Sequence, residues 1–194
     1  MEGTISSREA IVLAVDADDR GDRGDQGDRD DRVARIQAEW ARERPDVDVR
    51  PQGVIGRLHR LAAHLTDELQ VVYRRHGLGE GEFDVLATLR RAGAPYERAP
   101  GELAQFTMVT TGAMTKRIDR LERAGLVTRR RSAVDGRGRV VALTPAGTRL
   151  IDRAFTEHMH NERRLLDQLS PGEAEQLEAL LTTWLARVEP PTDR

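Results

Sequence analysis

The chain has 194 residues, enough for one domain with a substantial core, and its formal net charge of -2 rules out a uniform polycation that coats nucleic acid. Cysteine is absent, which excludes disulfide frameworks, thiol nucleophiles, thiol redox sensing and cysteine zinc sites. No apolar run approaches the ~20 residues needed to cross a bilayer, and the short apolar stretch at 10–15 follows Arg8 and Glu9, a poor signal peptide; a cytoplasmic protein with no membrane partner is expected.

Residues 16–32 hold eight acids, four arginines, three glycines and a single apolar residue, Ala17. Nothing there offsets the entropy of ordering, so residues 1–31 are expected to form a disordered acidic tail. Its RGD triplets follow from the repeat composition and are not read as adhesion motifs. From position 32 the pattern turns helical: Val33, Ile36 and Trp40 recur at i, i+3 and i+7, and Pro45 ends this extra N-terminal helix, 32–45. A longer helix over 51–76 places Val54, Leu58, Leu61, Leu65, Leu69 and Val72 on one face and stops at His76-Gly77. A third, over 80–91, turns Phe83, Leu86, Ala87 and Leu89 inward, and Pro95 and Pro100 bracket a loop.

The next stretch is compact. A short helix at 100–106 carries Leu103 and Ala104; after a turn at 107–109 comes a helix over 110–124 that buries Met114, Ile118 and Leu121 and is capped by Gly125. Residues 126–131 read as a strand, Asp135-Gly136 as a hairpin turn signal, and 139–143 as the return strand. Thr144-Pro145 starts the next helix with an N-cap and a proline at its first position. Ser170 with Glu173 forms a capping box for the last one. That last helix shows Leu177, Leu180, Leu181, Trp184, Leu185 and Val188, more apolar surface than a lone terminal helix should expose. With the helix at 51–76 it reads as a dimer seam. The expected fold is therefore mainly α with a small β-hairpin wing: a winged helix-turn-helix at 80–147, flanked by dimerisation helices at 51–76 and 144–188.

In that layout the second helix enters the major groove of double-stranded DNA, where base edges are distinguishable. Charge agrees. Residues 110–143 hold nine basic side chains against three acids, a net of +6 inside a chain of net -2. Thr111, Gly112, Thr115 and Lys116 lie opposite the apolar stripe; Arg137 and Arg139 suit a phosphate or minor-groove contact, and Thr110, Arg120 and Arg130 join them as expected DNA-binding residues. An enzyme is not expected: no glycine-rich loop follows a strand and no paired-carboxylate cleft is visible. Of the five histidines (His59, His64, His76, His158, His160), His158 and His160 fall on different helix faces, a poor metal pair. No metal or cofactor is expected.

The segment ELAQFTMVTTGAMTKRIDRLERAGLVTRRRSAVDGRGRVVALTPAG, residues 102–147, resembles the MarR family of regulators, and the likeness extends over 51–188. The resemblance implies a homodimer joined through its terminal helices, a short palindromic operator, and repression relieved by a small molecule. It is narrower still with the urate-responsive branch that includes HucR and PecS. Members of that branch carry an extra N-terminal helix with a tryptophan, an aspartate before the helix-turn-helix, and arginines in and just after the recognition helix. Trp40, Asp84, Arg117 and Arg129 match in place. The acidic tail and the linker at 44–51 are this chain's own.

The implied effector is urate or a related purine, planar, rich in carbonyls and anionic. Tryptophan offers a stacking face and arginine a planar fork for such a ligand. Each residue also has an ordinary reading: Trp40 as a staple for the extra helix, Asp84–Arg117 as an internal ion pair, Arg129 as a phosphate contact beside Arg130 and Arg131. A regulator of the same fold answering to a phenolic acid or an antibiotic is the alternative, though three Phe, two Tyr and two Trp are few for an aromatic pocket. An architectural DNA binder without a ligand is a further one.

Overall fold

The structure is a computed structural model that describes residues 31–107, 110–131 and 138–189, and the chain divides after Gly56 into two compact units. Of the acidic tail only Asp31 is described. Its carboxylate accepts from the N–H groups of Val33 and Ala34, both at 2.9 Å, and so caps α1 (Arg32–Glu43). Pro45 blocks continuation, and the Arg44 N–H closes the helix on the Trp40 carbonyl at 2.7 Å. Within this first unit Val33 is buried, with a γ-methyl 3.1 Å from where a Cβ on Gly56 would sit. Gln37 donates to the Val49 carbonyl at 3.0 Å, which ties α1 to the start of α2 (Arg50–Arg75).

In the second unit α2 ends in a left-handed Gly77, whose N–H reaches the Arg74 carbonyl while that of Leu78 reaches Tyr73, each at 3.0 Å. Then follow α3 (Glu80–Arg91), β1 (Glu97–Arg98), α4 (Pro100–Phe106), α5 (Thr111–Arg123), β2 (Val127–Arg131), β3 (Arg139–Leu143), α6 (Pro145–Leu166) and α7 (Pro171–Val188). The caps expected for the last two helices form: Thr144 Oγ1 accepts from Gly147 N at 3.0 Å, and Glu173 accepts from the Ser170 N–H at 2.8 Å. No helix among the described residues is long and apolar enough to cross a membrane.

Leu86 and Leu89 of α3, Leu103 of α4, Met114, Ile118 and Leu121 of α5, Val141 of β3 and Ile151 of α6 form one buried core. The apolar residues of each helix recur at three- and four-residue spacing, so one stripe per helix faces this core. The loop expected between Pro95 and Pro100 contains a strand. β1 pairs with β3, so the wing is a three-stranded antiparallel sheet in the order β1-β3-β2, not a lone hairpin. Two residues are too few to display a period, which is why sequence pattern does not reveal β1.

Gly147 is where α6 starts against the end of α5. Thr144 Oγ1 donates to the Gly125 carbonyl at 2.8 Å, and a Cβ on Gly147 would overlap the Leu126 carbonyl oxygen. Gly147→Ala is expected to lower unfolding stability by about 1–3 kcal/mol through overpacking against backbone. Gly112→Ala, with open space around it, should be neutral or stabilise by up to ~1 kcal/mol. Urea unfolding of both variants checks the contrast.

Candidate nucleic-acid interface and ligand site

Burial of Met114, Ile118 and Leu121 decides how α5 is presented. Thr110, Thr111, Thr115 and Lys116 are exposed at its amino-terminal half. Thr110 is the N-cap, its hydroxyl accepting from Ala113 N at 3.3 Å, and Thr115 donates back to the Thr111 carbonyl at 3.0 Å. The cations divide in two. Lys116 and Arg139 are exposed and carry no ion pair among the described residues. Arg120 is held by Glu82 of α3, and Arg130 by Glu97 of β1 at 2.6 and 2.9 Å. Arg137 lies outside the described residues.

Arg129 is held most tightly. Its guanidinium donates to Asp119 and Glu122, both on α5, and its backbone N–H donates to Glu122 at 3.0 Å. The Arg129 backbone N–H, followed by the guanidinium, holds the Glu122 carboxyl below its ordinary range. Strand β2 is thus latched to α5. These carboxylates were not singled out from the sequence: Asp119 and Glu122 read only as acids in a basic stretch, and Glu82 and Glu97 are 38 and 33 residues from their partners.

Asp84 and Arg117 come close without forming an ion pair. Burial pushes the Asp84 carboxyl above its ordinary range and the nearby Glu80 carboxylate adds to this; Arg117, Arg91 and His158 oppose them. The Arg117 guanidinium lies across Gly81, where a Cβ would overlap it, and its Nη1 is buried with no hydrogen-bond partner. Near Asp84 lies a histidine that sequence reasoning weighed only as a metal ligand. His158 is buried, with Nδ1 3.5 Å from the Tyr73 hydroxyl, Nε2 3.0 Å from Glu162, and its ring 5.0 Å from that of Phe83. Burial, then the charges of Asp84, Glu80 and Glu162, push the Tyr73 phenol up to about 12. An i, i+4 pairing of His158 with Glu162 was the one signal available in sequence.

Trp40 belongs to the first unit. Half exposed, it lines an open hollow of about 280 Å³ with Val47, Val49, Pro51 and Gln52. Among the described residues no cluster of three or more His, Asp or Glu could hold a metal ion.

A short helix, a turn, a second helix exposing small hydroxyls and a lysine, and a sheet behind it define a winged helix-turn-helix. A family model described as MarR family matches residues 76–138. The HTH-type transcriptional regulator PecS of Dickeya dadantii (strain 3937) is 42% identical over 149 residues, covering 77% of this chain and 90% of PecS. Apo MarR from E. coli superposes with a TM-score of 0.57 at 29% identity, covering 67% of this chain and 96% of MarR. A mutant MarR from E. coli in complex with operator DNA gives 0.60 at 26% identity, covering 72% and 99%. The chain belongs to the MarR family of transcriptional regulators, and within it to the PecS-like branch.

The ion pair between α3 and α5 has a pH signature. Partial burial works against ionisation of Glu82. The Gly79 N–H at 2.6 Å, then Arg120 and the charge of Arg117, outweigh it and hold the carboxyl below its usual range. A depressed carboxylate pKa contributes stability that is present above the unfolded value and lost as pH falls through the folded one. Glu82→Gln should therefore melt lower than wild type at pH 7, by about 2–4 °C. The gap should close below about pH 4, and thermal melts across this range check it.

Proposed function

We propose that this regulator is a homodimeric repressor, released from a palindromic operator by an anionic purine such as urate. Thr110, Thr111 and Thr115 at the leading end of α5 are placed to meet base edges, with Lys116 and Arg139 as exposed cations for phosphate. Arg137 is assigned the same role from sequence alone. The observation that carries the effector half is Arg117: a guanidinium on α5 itself, with a buried, unpaired Nη1 beside the half-buried Asp84. A planar anion presenting oxygens would satisfy that N–H and repel the Asp84 carboxylate. Trp40 and Arg129 are assigned to the effector from the sequence resemblance alone. A ligand that moves Arg117 moves α5, so binding and release need only the ~1–3 kcal/mol of differential affinity usual for allosteric coupling.

Dimerisation is supported by α7, which has no buried residue. Leu177, Leu180, Leu181, Trp184, Leu185 and Val188 form one exposed stripe, with Leu180 69% and Val188 65% accessible. Water contact with that much aligned apolar surface is costly, and a second copy covers it symmetrically.

Two experiments test this. In a DNA-shift assay on the chain's own upstream region, urate should release the wild-type protein. Arg117→Gln should bind the same DNA within about threefold yet need at least ~10-fold more urate, a coupling change of ~1.4 kcal/mol. Failure of urate, xanthine and hypoxanthine alike overturns the purine assignment, and release by a phenolic acid in their place supports the alternative effector class. For the dimer, Leu185→Asp should convert a two-chain species into a folded monomer by light scattering. A wild-type protein that already runs as a monomer rejects the homodimer.

A further inference from the structure

Arginines stand on both faces of the small sheet, and strand register separates their surroundings. Arg129 lies opposite Val141, and Arg130 opposite Val140; across β3, Glu97 lies opposite Ala142. Side chains alternate along a strand, so Arg130, Val140, Ala142 and Glu97 share one face. On that face Arg130 Nε and Nη2 both donate to one Glu97 oxygen, at 2.9 and 2.6 Å. The Glu97 side chain is only 7% exposed and the Arg130 side chain 45%. An acid fixed in the sheet thus holds a base that still reaches water. The Glu97 backbone is held in place by the pairing of β1 with β3.

Resting on the DNA-binding reading above, we infer that Glu97 is a specificity-determining residue: it withholds Arg130 from the phosphate backbone and so limits sequence-independent binding. Arg130 sits between Arg129 and Arg131 on the wing, the part of the fold that faces phosphates. A cation freed there strengthens binding to every duplex alike, because phosphates carry no sequence information. Held by Glu97, it leaves a larger share of the binding energy to the side chains at the leading end of α5. The arginine is still needed in place. Val140, directly opposite it on the same face, is buried, so the arginine's aliphatic stem stands beside apolar surface.

The test uses full-length protein and a random-sequence duplex of about 30 base pairs, titrated by fluorescence anisotropy between roughly 50 and 200 mM salt. Glu97→Gln should steepen the slope of log affinity against log salt by about 0.9 per protomer, and so tighten binding at the low-salt end, relative to the high-salt end, by about threefold per protomer. The ratio of affinities for a duplex selected by the wild-type protein and the random duplex should fall. The double variant Glu97→Gln with Arg130→Gln should return the slope to its wild-type value, which a purely structural Glu97 would not do. If Glu97→Gln does not melt cooperatively, Glu97→Asp, which keeps the charge but withdraws it by one methylene, should give a smaller steepening. An unchanged slope in a folded variant overturns the inference, as does a steepening that survives loss of Arg130. Wild-type protein that binds neither duplex instead overturns the DNA-binding reading itself.

Discussion

Burial of Met114, Ile118 and Leu121 against α3, α4 and the sheet sets the orientation of α5, and the rest of the site follows from it. Each such side chain contributes roughly 1.5–3 kcal/mol on leaving water, far more than any contact on the helix's polar face. With that stripe fixed, the 3.6-residue period leaves Thr111, Thr115 and Lys116 no direction but outward. The same period puts Arg117 on the boundary between core and surface. The hydroxyls and the lysine need no partner of their own to be correctly displayed; they are carried by three apolar neighbours.

Charge on this surface is tempered from within. Counting residues 110–143 gives a net of +6, but Arg120, Arg129 and Arg130 are all held by carboxylates. Two of those acids, Glu82 and Glu97, come from outside the segment. The field presented to a polyanion is therefore weaker and more localised than the count implies, with Lys116, Arg123, Arg131 and Arg139 exposed and in no ion pair among the described residues. The pairs also have mechanical consequences: Arg120–Glu82 joins α5 to α3, and Arg129 with Asp119 and Glu122 joins β2 to α5. Recognition helix, wing strand and the helix carrying Asp84 are linked by ionic contacts around a common apolar core.

Helices were legible because each carries two independent signals, a 3.6-period stripe and a chemical boundary. Thr144-Pro145, Ser170 with Glu173 and Gly125 mark ends that periodicity alone would leave ragged, and all three function as caps or stops in the structure. The threonines of α5 were legible for the same reason, since the opposite face is defined once the buried one is. What was not legible depends on distance in sequence. Strand β1 exists only because β3 returns beside it, and Glu82 meets Arg120 only once α3 packs on α5. The ordinary reading makes Asp84–Arg117 an internal ion pair, but the structure forms none and places the charges of Glu80, Arg91 and His158 near Asp84 as well. No local pattern announces such a neighbourhood.

Arg117 shows how little energy the proposed switch requires. A buried donor left without a partner costs about 1–3 kcal/mol, and Nη1 of Arg117 is such a donor. An effector oxygen that satisfies it recovers that cost, but only in an arrangement of α5 that keeps the guanidinium directed at the ligand. In the proposed reading, DNA favours whichever arrangement sets Thr111 and Thr115 in the groove. Where the two differ, the free energy recovered at Nη1 is drawn from DNA affinity, and about 1–3 kcal/mol corresponds to a roughly 5–150-fold change in binding. In the proposed switch the residue need not touch DNA, and the ligand need not approach the groove: one side chain on a helix of 13 residues, anchored by its apolar face, would make the two equilibria a single one.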